Sequence, residues 1–166
     1  PEMLKVVANN INRKAKDIKL FESGRVYLPV DNESLPDEQK YICVALCEED
    51  GFLKLKGVVE NLLELFGIKK AKFSAEGAVY YHPGRRACVY AGGKIAELGE
   101  IHPDTAQAFG ISRRVCVAEI SLEGLCKAAD YSLRYEPLPK YPAVERDIAL
   151  IVDDDVTAGS LLECIE

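Results

Sequence analysis

Residues 82–103 read HPGRRACVYAGGKIAELGEIHP, two β-rich arms around Gly92-Gly93, each bounded by a His-Pro step. A glycine pair supplies the positive φ of a two-residue turn, so the arms are predicted to pair as an antiparallel hairpin. Centring it on the glycines sets Arg85 opposite Glu100, Ala87 opposite Leu98 and Val89 opposite Ala96: an ion pair at the open end of an apolar strip. It also sets His82 opposite Pro103 and Pro83 opposite His102, so both histidines gather where the strands leave the sheet. Proline after each removes a backbone donor, which suits a strand end.

Four residues at this mouth are candidates for chemistry or contact: His82, Arg85, Glu100 and His102. The histidines are read as structural, ordering the mouth of the hairpin. Arg85, held by Glu100, is the residue best suited to meet a partner's carboxylate or phosphate. The alternative is a free-standing metal or acid/base enzyme using His82, His102 and Glu100. Against it, the two His-Pro steps do not have a known ligand spacing such as HExxH, and the chain has no nucleophile motif such as GxSxG. No catalytic, cofactor or metal residue is assigned.

The rest of the chain supplies elements to pack around a sheet. Leu4, Val7 and Ile11 mark one apolar face of a first helix. Its other face carries Lys5, Arg13 and Lys14, read as solvated surface with RNA contact as the alternative. IKLFESGRVYLP is β-rich around Ser23-Gly24 and predicts two short strands or one bent strand. The polar loop DNESLPDEQ follows, then KYICVALCEE, a buried strand. In LKLKGVVENLLELFG the stripe Val58, Leu62, Leu65 and Phe66 predicts a helix capped by Gly67. A weaker segment surrounds KKAKFSAEG. After the hairpin, Pro103 opens and Gly110 closes a short helix. RVCVAEISL reads as a strand and EGLCKAAD as a short helix.

YEPLPKYP then places Pro137, Pro139 and Pro142 within six residues, too many for a helix or central strand. This sets a boundary: residues 1–135 as one domain, 136–142 as a linker, 143–166 as the start of a second. In the second, RDIALIVD predicts a strand and DVTAGSLLECIE a helix with Thr157 near its start. One strand and one helix do not make a core, so the chain is expected to be a fragment of a longer protein.

With 166 residues and 48% hydrophobic content the chain can bury a core. Its 21 basic and 27 acidic residues give a net charge of −6, which argues against a domain that grips nucleic acid mainly through phosphates. No apolar run approaches the roughly 20 residues of a membrane span. The six cysteines have no CxxC spacing and sit mostly in apolar runs, so they read as buried free thiols of a soluble cytoplasmic protein.

Five pieces, in order and covering nearly the whole chain, match one family: NNINRKAKDIKLFESGRVY, LKGVVENLLELFG, YHPGRRACVYAGGKIAELGEIHP, VAEISLEGL and LPKYPAVERDIALIVDDDV. The chain resembles the later part of the beta chain of bacterial phenylalanyl-tRNA synthetases. The resemblance implies an α+β fold for residues 1–135, an antiparallel sheet flanked by helices, like the class II synthetase catalytic core. It implies that residues 143–166 open a truncated ferredoxin-like module that binds the tRNA anticodon region. In the family the alpha chain charges tRNA with phenylalanine, using ATP and magnesium, within a heterotetramer of two alpha and two beta chains. The beta core packs against alpha without performing the chemistry.

The residues agree with a loss of chemistry. A working class II site holds ATP phosphates with an arginine in its second motif and another in its third. KLFESGRVY resembles the second motif through Phe21 and Glu22 but has no arginine ahead of them. VAEISLEGLCKA stands in the position of the third motif, and residues 115–133 contain no arginine. The expectation is therefore a non-catalytic structural and assembly domain with no cofactor of its own. Its partners would be the alpha chain and, in the full complex, tRNA, with no membrane.

Overall fold

Leu4 and Val7 do lie on one face of a helix, α1 (Glu2–Asn12), whose buried residues are Met3, Leu4, Val7 and Ala8. The computed structural model describes residues 1–30, 35–132, 140–154 and 156–165, without the side chain at 163. The start of the predicted polar loop, residues 31–34, and residues 136–139 of the predicted proline linker lie outside the described residues.

Contacts divide the chain into two units, Pro1–Ser132 and Leu133–Glu166. In the first, α1 leads to β1 (Ile18–Leu28), β2 (Asp37–Cys47), α2 (Gly51–Leu65), β3 (Lys72–Ser74), β4 (Tyr81–Tyr90) and β5 (Lys94–Ile101). The unit continues with α3 (Pro103–Ala108), β6 (Cys116–Ser121) and α4 (Leu122–Ala128). All strand pairs are antiparallel, in the order β1-β2-β6-β5-β4-β3. IKLFESGRVYL forms one strand through Ser23-Gly24, and β2 starts at Asp37, inside the stretch expected to be loop.

Alternation along the strands gives the sheet two buried faces. On one, α2 and α4 cover Leu46, Ala87, Val89, Ala96, Leu98, Cys116, Ala118 and Ile120. On the other, α1 and α3 cover Ile18, Ala45, Cys47, Tyr81, Ile101 and Val117. The apolar strip read from the hairpin is therefore the floor beneath α2.

The buried stripe of α2 differs from the expected one. Gly51, Leu55, Val59 and Leu63 face the sheet, Leu62 and Phe66 are partly buried beside them, and Val58 and Leu65 are exposed. The helix begins at Gly51, where a Cβ would lie 3.0 Å from the Sγ of Cys116. Gly51 begins the buried row that continues through Leu55, Val59 and Leu63. At the other end, Gly67 has φ +69° and the chain turns tightly against Asp130. Gly92 and Gly110, at φ +73° and +69°, fill the left-handed positions their turns require.

In the second unit, α5 (Ala158–Ile165) starts as predicted: the Thr157 hydroxyl accepts from the Ser160 N–H at 3.3 Å. The strand expected over RDIALIVD is not present. A strand is held by inter-strand hydrogen bonds, and among the described residues nothing pairs with this run. All six cysteines are free; Cys47, Cys88 and Cys116 are buried and Cys43 partly so, whereas Cys126 and Cys164 are exposed.

Candidate functional site

The hairpin keeps the expected register from Arg86, opposite Gly99, to Val89, opposite Ala96. Toward the open end it shifts, and Tyr81 faces Ile101. Four residues of β4 therefore bulge against Glu100 alone, so His82 does not face Pro103 and Pro83 does not face His102. Pro83 lacks a donor for the ladder, and the Gly84 N–H turns back to donate to Nδ1 of His82 at 3.1 Å. The two rings still lie near each other, with centroids 6.5 Å apart.

Both histidines use Nδ1 in the same way. His102 caps α3, accepting from the Asp104 N–H at 3.3 Å. With Nδ1 accepting, a neutral ring carries its proton on Nε2. The 3.5 Å approach of Arg85 Nη2 to His82 Nε2 then brings two donors together and is packing, not a hydrogen bond. Each Nδ1 is thus engaged with a backbone N–H of its own turn, and Nδ1 of His102 also lies 3.5 Å from Oδ2 of Asp104. Among the described residues, no group of three or more His, Cys, Asp or Glu side chains is placed to hold a metal ion.

Arg85 and Glu100 do meet, with Nε 2.9 Å from Oε2. The contact is one of charge, since the Nε–H makes no directed hydrogen bond. Glu100 is buried, and its other oxygen lies 4.0 Å from Nε of Arg114. One carboxylate thus positions two half-exposed arginines at the mouth of the sheet.

Reading the sequence alone did not find two further polar centres. Behind the hairpin, Glu97 and Glu119 face each other on β5 and β6. Residues 75–80 lie across them: the Ala78 N–H donates to Glu97, and the Tyr80 hydroxyl to Glu119 at 3.0 Å. Lys94 holds the other oxygen of Glu97 at 2.6 Å. Tyr81 is buried beside them, its ring so close to Gly99 that a Cβ there would meet Cδ1 at 2.7 Å. Burial raises both tyrosine hydroxyls above their ordinary range, and nearby glutamates add to the shift. The signal was present in AELGE: Glu97 alternates with the apolar Ala96 and Leu98, and an interior strand glycine marks a close approach.

The second centre is an open cleft of about 550 Å³ lined by Cys47, Glu48, Glu49, Asp50, Arg113 and Arg114. Arg113 donates to the carbonyls of Ala15, Lys16 and Cys47 at 3.0–3.1 Å, tying the loop before β1 to the end of β2. Lys19, at 2.9 Å, and Lys54 both hold Glu48 and lower its carboxyl from 4.5 to about 2. A lowered carboxylate adds stability that is complete above its ordinary value and is lost as pH falls toward the folded one. An NMR titration should therefore find Glu48 ionised down to about pH 2, with Lys19→Ala moving the midpoint upward. A midpoint near 4.5 in the unsubstituted chain would contradict the double clamp. The thiol of the cleft, Cys47, is not poised as a nucleophile, since burial raises it above its ordinary range.

Residues 1–122 match the model of the phenylalanyl tRNA synthetase beta chain CLM domain. The chain belongs to that family. A phenylalanine–tRNA ligase beta subunit from Clostridium tetani is 39% identical over 157 residues, covering 93% of this chain and 20% of the relative. One from Symbiobacterium thermophilum is 39% identical over 174 residues, covering 97% and 20%, and one from Geobacter sulfurreducens is 34% identical over 180 residues. The chain thus spans about a fifth of the length of these relatives. The fold of this beta-chain family member is also that of PylSc, a pyrrolysyl tRNA synthetase from Desulfitobacterium hafniense, with a TM-score of 0.61 at 18% identity over 75% of this chain and 45% of that one. It is an α+β core like that of a class II synthetase, an antiparallel sheet flanked by helices. No helix among the described residues is long and apolar enough to cross a membrane.

Proposed function

We propose that this chain is a non-catalytic structural and assembly part of a phenylalanine–tRNA ligase, packing against the alpha chain, which carries the charging chemistry. The observation that carries the reading is the commitment of the arginines. Arg113 is bound to three carbonyls, Arg85 and Arg114 share Glu100, and Arg86 donates to the carbonyl of Ala78 at 3.4 Å. A site for ATP needs cations that converge on the phosphates. Across the sheet face beside β5, the space is instead filled by Tyr80, Tyr81 and two glutamates.

ATP and magnesium would accordingly be used by the alpha chain, and this chain would need no cofactor. Its exposed apolar side chains, among them Leu53 and Leu65 of α2, suit contact with another protein. Arg85 and Arg114 would supply the charged part of such a contact. Residues 1–135 carry 19 acidic and 19 basic side chains, so they have no basic excess with which to capture tRNA directly, and a protein partner is favoured. Residues 143–166 would open the anticodon-binding module and bring tRNA into the complete assembly.

Co-expression with the alpha chain of a bacterial phenylalanine–tRNA ligase tests the assembly role. A tagged form of this chain should retain alpha through a salt wash, and Arg85→Glu should weaken the retention. An alpha chain that never co-purifies would contradict the reading.

A further inference from the structure

Tyr81 is 1% exposed, and its hydroxyl is sealed from solvent without a hydrogen-bond partner. Buried hydroxyls in native folds are nearly always satisfied, by protein, by water or by an ion. The hydroxyl of Tyr80, whose ring centroid lies 4.6 Å away, is given to Glu119 at 3.0 Å. Because the Tyr81 hydroxyl is enclosed within its own unit, no segment of a longer chain and no partner protein reaches it. Only a species about the size of a water molecule can.

The surroundings select a charged species. Register sets Glu22 opposite Cys43, Cys43 opposite Glu119 and Glu119 opposite Glu97, one row across β1, β2, β6 and β5. Burial raises the Tyr81 hydroxyl above its ordinary range, and Tyr80, Glu119, Glu97 and Cys43 raise it further, which marks the hydroxyl as pointing into this row. Like charges directly opposite on neighbouring strands repel. Lys94, at 2.6 Å, offsets Glu97, whereas Arg86 is turned to the carbonyl of Ala78 and Arg85 and Arg114 are beside Glu100. Among the described residues, Glu119 is left with the Tyr80 hydroxyl and no basic side chain.

We propose that one monovalent metal cation lies between the hydroxyl oxygen of Tyr81 and the carboxylates of Glu119 and Glu97. The donors are hard oxygens, which suit an alkali ion and not a soft metal. One carboxylate without a cation calls for a single positive charge, not the two of magnesium or calcium. Tyr81 ligates through a lone pair and keeps its proton. Residues 75–80 lie over the same place, with the Ala78 N–H on Glu97 and the Tyr80 hydroxyl on Glu119. The ion is therefore structural: it fixes the carboxylates that hold this strap to β5 and β6. The site does not depend on the assembly role proposed above.

Thermal unfolding of the chain in sodium, potassium and tetramethylammonium chloride at one ionic strength tests it, since tetramethylammonium is too large to enter. Sodium or potassium should raise the midpoint by about 5 °C for each tenfold increase above its Kd. Tyr81→Phe keeps the ring over Gly99 and removes the ligating oxygen, and Glu119→Gln keeps an acceptor for Tyr80 and removes the charge. Both variants should fold with unchanged circular dichroism and lose the dependence on the ion. Thallium(I), a monovalent probe, should give a bound 205Tl NMR resonance with the unsubstituted chain and none with Tyr81→Phe. The same midpoint in all three salts, as an ordered water alone would produce, or an ion dependence that both variants retain, would overturn the proposal.

Discussion

Alanine at Gly67 is expected to lower the unfolding free energy by about 2–5 kcal/mol in urea denaturation, against about 1–2 kcal/mol for alanine at Gly110. Both glycines have φ +69°, so both substitutions force an L-residue into the left-handed region. They differ in what a side chain would meet. At Gly110 nothing lies within 4 Å, whereas at Gly67 the new Cβ would stand 1.9 Å from the carbonyl oxygen of Asp130. That oxygen belongs to backbone already fixed by the Asp130 N–H, which donates to Phe66 at 3.0 Å. The end of α2 and the residues after α4 must separate before alanine fits. Equal losses at the two positions would show that this contact does not form.

The second large effect is at Leu55. Its side chain is wholly buried between α2 and the sheet, in the row with Val59 and Leu63. Leu55→Ala should cost about 2–5 kcal/mol, the loss of transfer energy together with the cavity left behind. Leu65→Ala, at a position 73% exposed, should stay within about 0.5 kcal/mol. The comparison asks directly which stripe of α2 faces the sheet. If Leu65 proved the costlier position, the helix would be rotated from the orientation described.

That rotation also shows where the sequence was ambiguous. Leu55, Val59 and Leu63 form a four-residue row, and Val58, Leu62, Leu65 and Phe66 form another beside it. Periodicity identified the helix but did not choose between the rows. The choice is made by packing of the Leu55 row against the sheet, with Gly51 close to Cys116, and such tertiary contacts have no local signature. The hairpin was legible because Gly92-Gly93 and the alternation around it are local, and so was the ion pair of Arg85 with Glu100. The bulge at its mouth depends on how His82 and Gly84 close their own turn, which a centred pairing ignores.

The opposing glutamates on β5 and β6 were not legible, because Glu97 and Glu119 are brought together by the register of two strands joined through α3, which no tight turn fixes. RDIALIVD illustrates the opposite limit. Its composition favours a strand, but composition supplies no partner, and strand structure is a property of pairs. Thr157, by contrast, acts within its own turn of helix, and the sequence alone placed it correctly.

The central claim is that this synthetase-like core performs no charging chemistry, and nucleotide binding tests it most directly. Isothermal titration of the chain with ATP and magnesium, and separately with phenylalanine, should give no saturable heat at millimolar ligand. Arg113 and Arg86 are bound to backbone carbonyls, Arg85 and Arg114 lie beside Glu100, and Tyr80 and Tyr81 stand beside Glu97 and Glu119. Stoichiometric binding of ATP at micromolar concentration by this chain alone would contradict the account.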